Sequence, residues 1–162
     1  MRGEEQGEDA NLEKTDVSEV VRATVDSFRS MAQQSGLGLE DGIAAGVKLR
    51  CNPASIEQLT SLLVDNALKY CDPNGNVLVA FSATRIGHGC TLAVSNDYAA
   101  GADVDHHRFF DRFYREDESH ENQQGYGIGL SAAESICKRY HGSIRATWKA
   151  GIITFTCTLK DA

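Results

Sequence analysis

Apolar residues along this chain recur at two periods, and the switches between them mark the elements. From Asp16 to Gln34, Val17, Val21, Thr24, Phe28 and Met31 follow helical spacing. That predicts a helix with one buried stripe. Asp16, with Glu19 three residues on, reads as a capping box at its start, and Gly36 stops it. Two short alternating runs lie between Leu37 and Cys51, the second being Val47, Leu49 and Cys51. They predict two small strands joined through Asp41-Gly42 and Gly46. Asn52-Pro53 then opens a second helix: a cap residue, followed by proline in the first turn, where its missing N–H costs nothing. This helix runs to about Tyr70 with Ile56, Leu59, Leu63, Ala67 and Tyr70 on one face.

Asp72-Pro73-Asn74-Gly75 is a turn. Val77, Val79, Phe81 and Ala83 alternate, Gly87-His88-Gly89 turns, and Leu92 and Val94 alternate again, which predicts a hairpin ending at Ser95-Asn96-Asp97. Regular patterning stops from Tyr98 to Gln124, and an irregular stretch of that length in a compact domain is functional or disordered. A glycine run and a third helix follow, closed by Gly142 as a C-cap residue. Ile144, Ala146 and Trp148, then Ile153, Phe155, Cys157 and Leu159, alternate about a turn at Ala150-Gly151. The pattern predicts an α+β domain, a two-layer sandwich with about three helices on one face of a mixed, mostly antiparallel sheet.

Composition narrows the function. With 162 residues and 41% hydrophobic content, the chain suits one domain with a real core. Its net charge of −7 argues against nucleic acid as a partner. No apolar run approaches the roughly 20 residues that span a bilayer. Residues 1–14 carry five acids and read as a flexible lead-in, with the domain proper at 15–162. The five cysteines form no Cys-x-x-Cys pair and sit in apolar patterns, so most read as small core residues in a reducing compartment.

Two places carry candidate chemistry. In Gly125-Tyr126-Gly127-Ile128-Gly129-Leu130 three glycines alternate and run into a helical sequence. Such a run lets backbone amides approach an anion at a helix N-terminus, although alternating glycines also make plain loops. On the second helix Asn66, Lys69 and Tyr70 gather at one edge of the apolar stripe. They are either boundary residues or a ligand wall, with Asn66 offering a neutral oxygen to Mg²⁺, Lys69 meeting phosphate and Tyr70 lying against a base. His106-His107, flanked by Asp103 and Asp105, has no further ligand pattern and makes a poor metal site.

These residues lead to a family. Leu59 to Tyr70 (LTSLLVDNALKY) resembles the N-box of bacterial sensor histidine kinases. Phe109 to Arg115 (FFDRFYR) resembles their F-box, and Gly125 to Leu130 their second glycine box. The motifs stand in the family's order and spacing, and the resemblance covers Thr15 to Leu159. It implies the Bergerat-type sandwich of the GHKL ATPases, binding ATP with Mg²⁺ between the N-box helix and a lid at about 98–124. It assigns Asn66 to Mg²⁺, Lys69 to phosphate and Tyr70 to adenine. Gly125, Gly127 and Gly129, with Tyr126, Ile128 and Leu130 between and after them, would form the phosphate-side loop. Phe110 and Phe113 would anchor the lid, and Arg115 would reach phosphate from it.

The chain also departs from the family. Where the family usually has Asp-x-Gly-x-Gly, this chain has Asn96-Asp97-Tyr98-Ala99-Ala100-Gly101. Strand register puts Asn96 in the position of the adenine-binding Asp, with Asp97 beside it as the other candidate. Leu62 stands where the family often has a polar residue. No histidine here is followed by a nearby proline as in a phosphoacceptor site. The resemblance therefore implies the catalytic ATP-binding domain, transferring the γ-phosphoryl to a histidine on a separate dimerisation domain, in a pathway ending at a response regulator. It further implies a cytoplasmic, monomeric domain without membrane contact. The alternatives are a degenerate nucleotide-sensing or partner-binding relative and an anti-sigma-factor-type serine kinase.

Overall fold

The computed structural model describes residues 12, 14–84, 89–103 and 124–161. In chain order the elements are β1 (Lys14–Asp16), α1 (Val17–Ser27), α2 (Arg29–Gln34), β2 (Gly38–Ile43), β3 (Lys48–Arg50) and α3 (Pro53–Tyr70). Then come β4 (Asn76–Ala83), β5 (Gly89–Asp97), a 3₁₀ helix (Ala99–Asp103), α4 (Gln124–Arg139), β6 (Ser143–Lys149) and β7 (Ile152–Lys160).

Five strands form one sheet in the order β2-β4-β5-β7-β6. Only β2 and β4 pair in parallel, and α3 lies in the crossover such a pairing needs. The other neighbours are antiparallel. Alternation sends Val77, Val79, Phe81, Leu92, Val94, Ile153, Phe155, Cys157 and Leu159 to one face, where they are buried with the apolar faces of α1, α3 and α4. The opposite face keeps Leu78 and Ile152 exposed. The two-layer sandwich read from the pattern is the observed architecture.

Both helix starts follow their caps. The Asp16 side chain accepts from the Glu19 amide at 3.2 Å and Asn52 from the Ala54 amide at 3.0 Å. The first helix, expected to run unbroken to Gln34, breaks at Phe28. Thr24 and Ser27 hydroxyls donate back to the Val20 and Thr24 carbonyls at 2.7 and 2.6 Å, which disturbs the last turn. Arg29 then bonds Asp26, Asp41 and the Leu39 carbonyl, turning α2 onto β2 and leaving Met31 exposed. The stripe therefore ends before Met31.

The strands β2 and β3 do not pair with each other. β2 joins the main sheet beside β4, while β3 pairs with β1, which starts at Lys14 inside the expected lead-in. Asp41-Gly42 lies within β2, and the turn falls at Gly46, whose φ is 76°. Nor is Gly142 the left-handed residue after α4. His141 takes that role at φ 59°, with its amide on the Lys138 carbonyl and the Gly142 amide on the Cys137 carbonyl at 3.1 and 2.8 Å, a Schellman ending. Gly142 is needed for another reason: a Cβ there would lie 1.6 Å from the Thr158 carbonyl oxygen.

Candidate nucleotide site

Helix α3 carries the first wall. Its inner stripe of Leu59, Leu63 and Ala67 is buried and seats the helix on the core. This places Asn66 inward at only 6% exposure. Its Oδ1 is buried and has no hydrogen-bond partner among the described residues. A buried acceptor left unmet costs about 1–3 kcal/mol, so its persistence needs a reason. A neutral amide oxygen in that state fits a hard cation such as Mg²⁺. Lys69, one turn on, is exposed and paired with Asp65 at 3.3 Å. An exposed i,i+4 pair is worth only tenths of a kcal/mol, so the ammonium is easily drawn to a better anion. Tyr70 closes the helix, half-buried against the core.

The end of β5 supplies the second wall, and α3 packs on this strand. Asn96 faces inward with Leu92 and Val94 and is 2% exposed. Its Nδ2 donates to the Asp97 carbonyl at 3.0 Å. Period-2 alternation turns Asp97 to the opposite face, where its Oδ2 accepts from the Asn76 amide at 2.7 Å. The sequence left both residues open as the base contact; the fold separates them.

After β5 the backbone is built without the family's usual glycines. Ala99 to Asp103 forms the 3₁₀ helix. The Tyr98 carbonyl accepts from Trp148 Nε1 at 2.7 Å, and Gly101 is so close that a Cβ would lie 2.2 Å from the Trp148 ring. Trp148, on the alternating run of β6, is thus an anchor for this segment. The Asp72 carboxylate, which accepts from the Ala99 amide at 2.8 Å, was unread in the sequence.

Gly125 to Gly129, expected as a loop before a helix, lie inside α4, which begins at Gln124. The amides of the helical residues that follow donate to the carbonyls of this run, so the helix extends back through it. Three glycines cost about 1 kcal/mol each against alanine, making this the intrinsically weakest part of α4. Leu130 is fully buried and belongs to the core. Phe110, Phe113 and Arg115, with most of the lid at about 98–124, lie outside the described residues. Cavities of about 580 Å³ between α1 and the start of α3, and about 330 Å³ on the outer sheet face, contain neither Asn66 nor Lys69.

A helical layer over a mixed sheet, with the buried Asn66 Oδ1, unmet among the described residues, and Lys69 on one helix, is an α/β sandwich with a candidate nucleotide wall. Residues 51–162 match the family described as histidine kinase-, DNA gyrase B- and HSP90-like ATPases, and the chain belongs to that family. Among curated proteins it is 27% identical over 145 residues to the sensor protein DltS of Streptococcus agalactiae, covering 90% of this chain and 36% of that protein. It is 29% identical over 160 residues to the sensor histidine kinase TrcS of Mycobacterium tuberculosis, covering 95% and 31%. The chain thus spans about a third of the length of these relatives. The catalytic domain of histidine kinase ThkA shares the fold at a TM-score of 0.74 and 16% identity, covering 93% of this chain and 97% of that one. Full-length ShkA, solved in complex with AMPPNP, shares it at 0.74 and 18%, covering 94% and 32%. The chain corresponds to the ATP-binding catalytic domain of sensor histidine kinases. No helix among the described residues is long and apolar enough to cross a membrane.

Proposed function

We propose that this domain binds Mg²⁺·ATP and passes the γ-phosphoryl to a histidine on a separate dimerisation domain. The observation that carries the reading is Asn66, whose buried Oδ1 lacks a partner among the described residues and sits one turn from Lys69. Asn66 holds the cation through that oxygen, and Lys69 leaves Asp65 for phosphate. Asn96 accepts from the adenine amino group, and Tyr70 lies beside the base. The run Gly125, Gly127 and Gly129 lies on the phosphate side at the N-terminal end of α4, where the dipole favours negative charge and the first-turn amides, that of Gly125 among them, have no helical partner. Phe110, Phe113 and Arg115 act from the lid, as the family resemblance implies. Bound Mg²⁺ supplies neutralisation of the phosphate charge. The chain's own contribution is to position and desolvate the nucleotide, which dominates phosphoryl transfer. The full pathway then runs through a response regulator, with this domain cytoplasmic and monomeric.

Calorimetric titration with ATP, with and without Mg²⁺, tests this on the chain and on Asn66→Ala. Mg²⁺-dependent binding that Asn66→Ala weakens at least about tenfold is expected. Absence of binding by the unsubstituted chain at millimolar ligand would overturn the reading and favour the partner-binding alternative. Adding a dimerisation domain with its phosphoacceptor histidine should yield acid-labile phosphate, whereas alkali-labile phosphoserine on a partner would favour the serine kinase.

A further inference from the structure

Asp72, just past α3, and Asp97, at the end of β5, grip each other's continuations. The Asp72 amide donates to the Asp97 carbonyl at 2.9 Å. Asp97 Oδ2 accepts from the Asn76 amide at 2.7 Å, and Asp72 Oδ2 accepts from the Ala99 amide at 2.8 Å. Bonds from backbone amides to carboxylates are short and strong. The Asp97 carbonyl is shared, since it also accepts from Asn96 Nδ2 at 3.0 Å. The buried Asn96 amide is therefore tied to the same node that joins the two walls of the site.

We infer that Asp72 and Asp97 are positioning residues for the base end of the nucleotide site. They clamp the end of β5 to the end of α3 and hold the Asn96 amide with Nδ2 engaged, leaving Oδ1 as the acceptor. This rests on the nucleotide reading above. An aspartate can only accept, but an asparagine offers a donor on one edge and an acceptor on the other. Adenine presents an amino donor where guanine presents a carbonyl acceptor. With Nδ2 occupied by the Asp97 carbonyl, position 96 selects the amino group. Without the clamp the amide turns and serves either base.

Binding of Mg²⁺·ATP, Mg²⁺·GTP and Mg²⁺·tripolyphosphate to the 162-residue chain, Asp97→Ala, Asp97→Asn and Asp72→Ala, with thermal melting of each, tests the inference. Asp97→Ala keeps the carbonyl that engages Asn96 Nδ2 but loses the bond to the Asn76 amide that fixes that carbonyl's place, and is expected to weaken ATP about tenfold and to bring ATP and GTP affinities together. Tripolyphosphate affinity should stay unchanged. Asp97→Asn retains an acceptor for Asn76 and should restore most of the ATP preference. Asp72→Ala should give a smaller loss of the same kind, and it decides the question if Asp97→Ala does not fold. Equal losses for ATP and tripolyphosphate would mean general damage and overturn the positioning role. Unchanged ATP preference in folded variants would overturn it too. An unsubstituted chain that binds none of the three ligands would instead overturn the nucleotide reading.

Discussion

The indole N–H of Trp148 on β6 donates to the backbone carbonyl of Tyr98 at 2.7 Å, linking the edge of the sheet to the residue where regular strand ends beyond β5. The Tyr98 amide in turn donates to the Gly151 carbonyl at 2.7 Å, so the last hairpin holds this residue from both sides. Gly101 packs under the same ring.

Gly101→Ala is therefore expected to overpack this anchor, because its Cβ would meet the Trp148 ring at 2.2 Å. The loss should be about 1–3 kcal/mol, read as a lower denaturation midpoint with an unchanged denaturant slope. The chain has one tryptophan, so a shift in its fluorescence would report the displaced ring directly.

Asn66→Ala should separate stability from function. It removes a buried acceptor with no partner among the described residues, so folding stability should change by no more than about 1 kcal/mol, while Mg²⁺·ATP binding is largely lost. Melting and calorimetry on the same sample check both halves. A large loss of stability would show that the amide is structural.

The thiols predict an alkaline limit. Burial pushes Cys51 up to about 11 and Cys90 up to about 12, and raises Cys157 through its contact with Cys137 and its burial. The unfolded chain releases these protons near the ordinary value of 9.0, before the folded chain does. Above pH 9 the unfolded state thus binds fewer protons, and stability falls as pH rises toward the folded values. Chemical denaturation at stepped pH should show this slope, flattened in Cys90→Ala. A disulfide reagent near neutral pH should label Cys71 first, since Cys51, Cys90, Cys137 and Cys157 are buried.

The ending of α4 gives opposite signs at adjacent positions. His141→Gly relieves a side chain at φ 59° and should stabilise by about 0.5–1 kcal/mol. Gly142→Ala drives a Cβ into the Thr158 carbonyl and should destabilise by more than about 2 kcal/mol. Paired thermal melts decide it.

Much of this was legible in the sequence because it is local. Capping at Asp16 and Asn52, the period-2 runs of β4, β5, β6 and β7, the turn with Asn74 at φ 62° and the Ala150-Gly151 hairpin all depend on neighbours in the chain. The Asn66 and Lys69 cluster was legible for the same reason, since helical spacing alone puts them on adjacent faces.

Pairing and orientation were not local. Nothing in β2 and β3 announces that one joins β4 in parallel while the other pairs with β1, because that choice rests on partners more than thirty residues away in the chain. Asn96 and Asp97 are adjacent in sequence, yet one faces the helices and the other reaches the Asn76 amide, a separation set by the register of β5 between β4 and β7. The sequence by itself determined the elements, their caps and the residues able to meet a nucleotide. Only the tertiary structure decided which faces those residues share, because hydrogen bonds such as Asp72 to Ala99 and Trp148 to Tyr98 join positions whose separation along the chain carries no periodic signal.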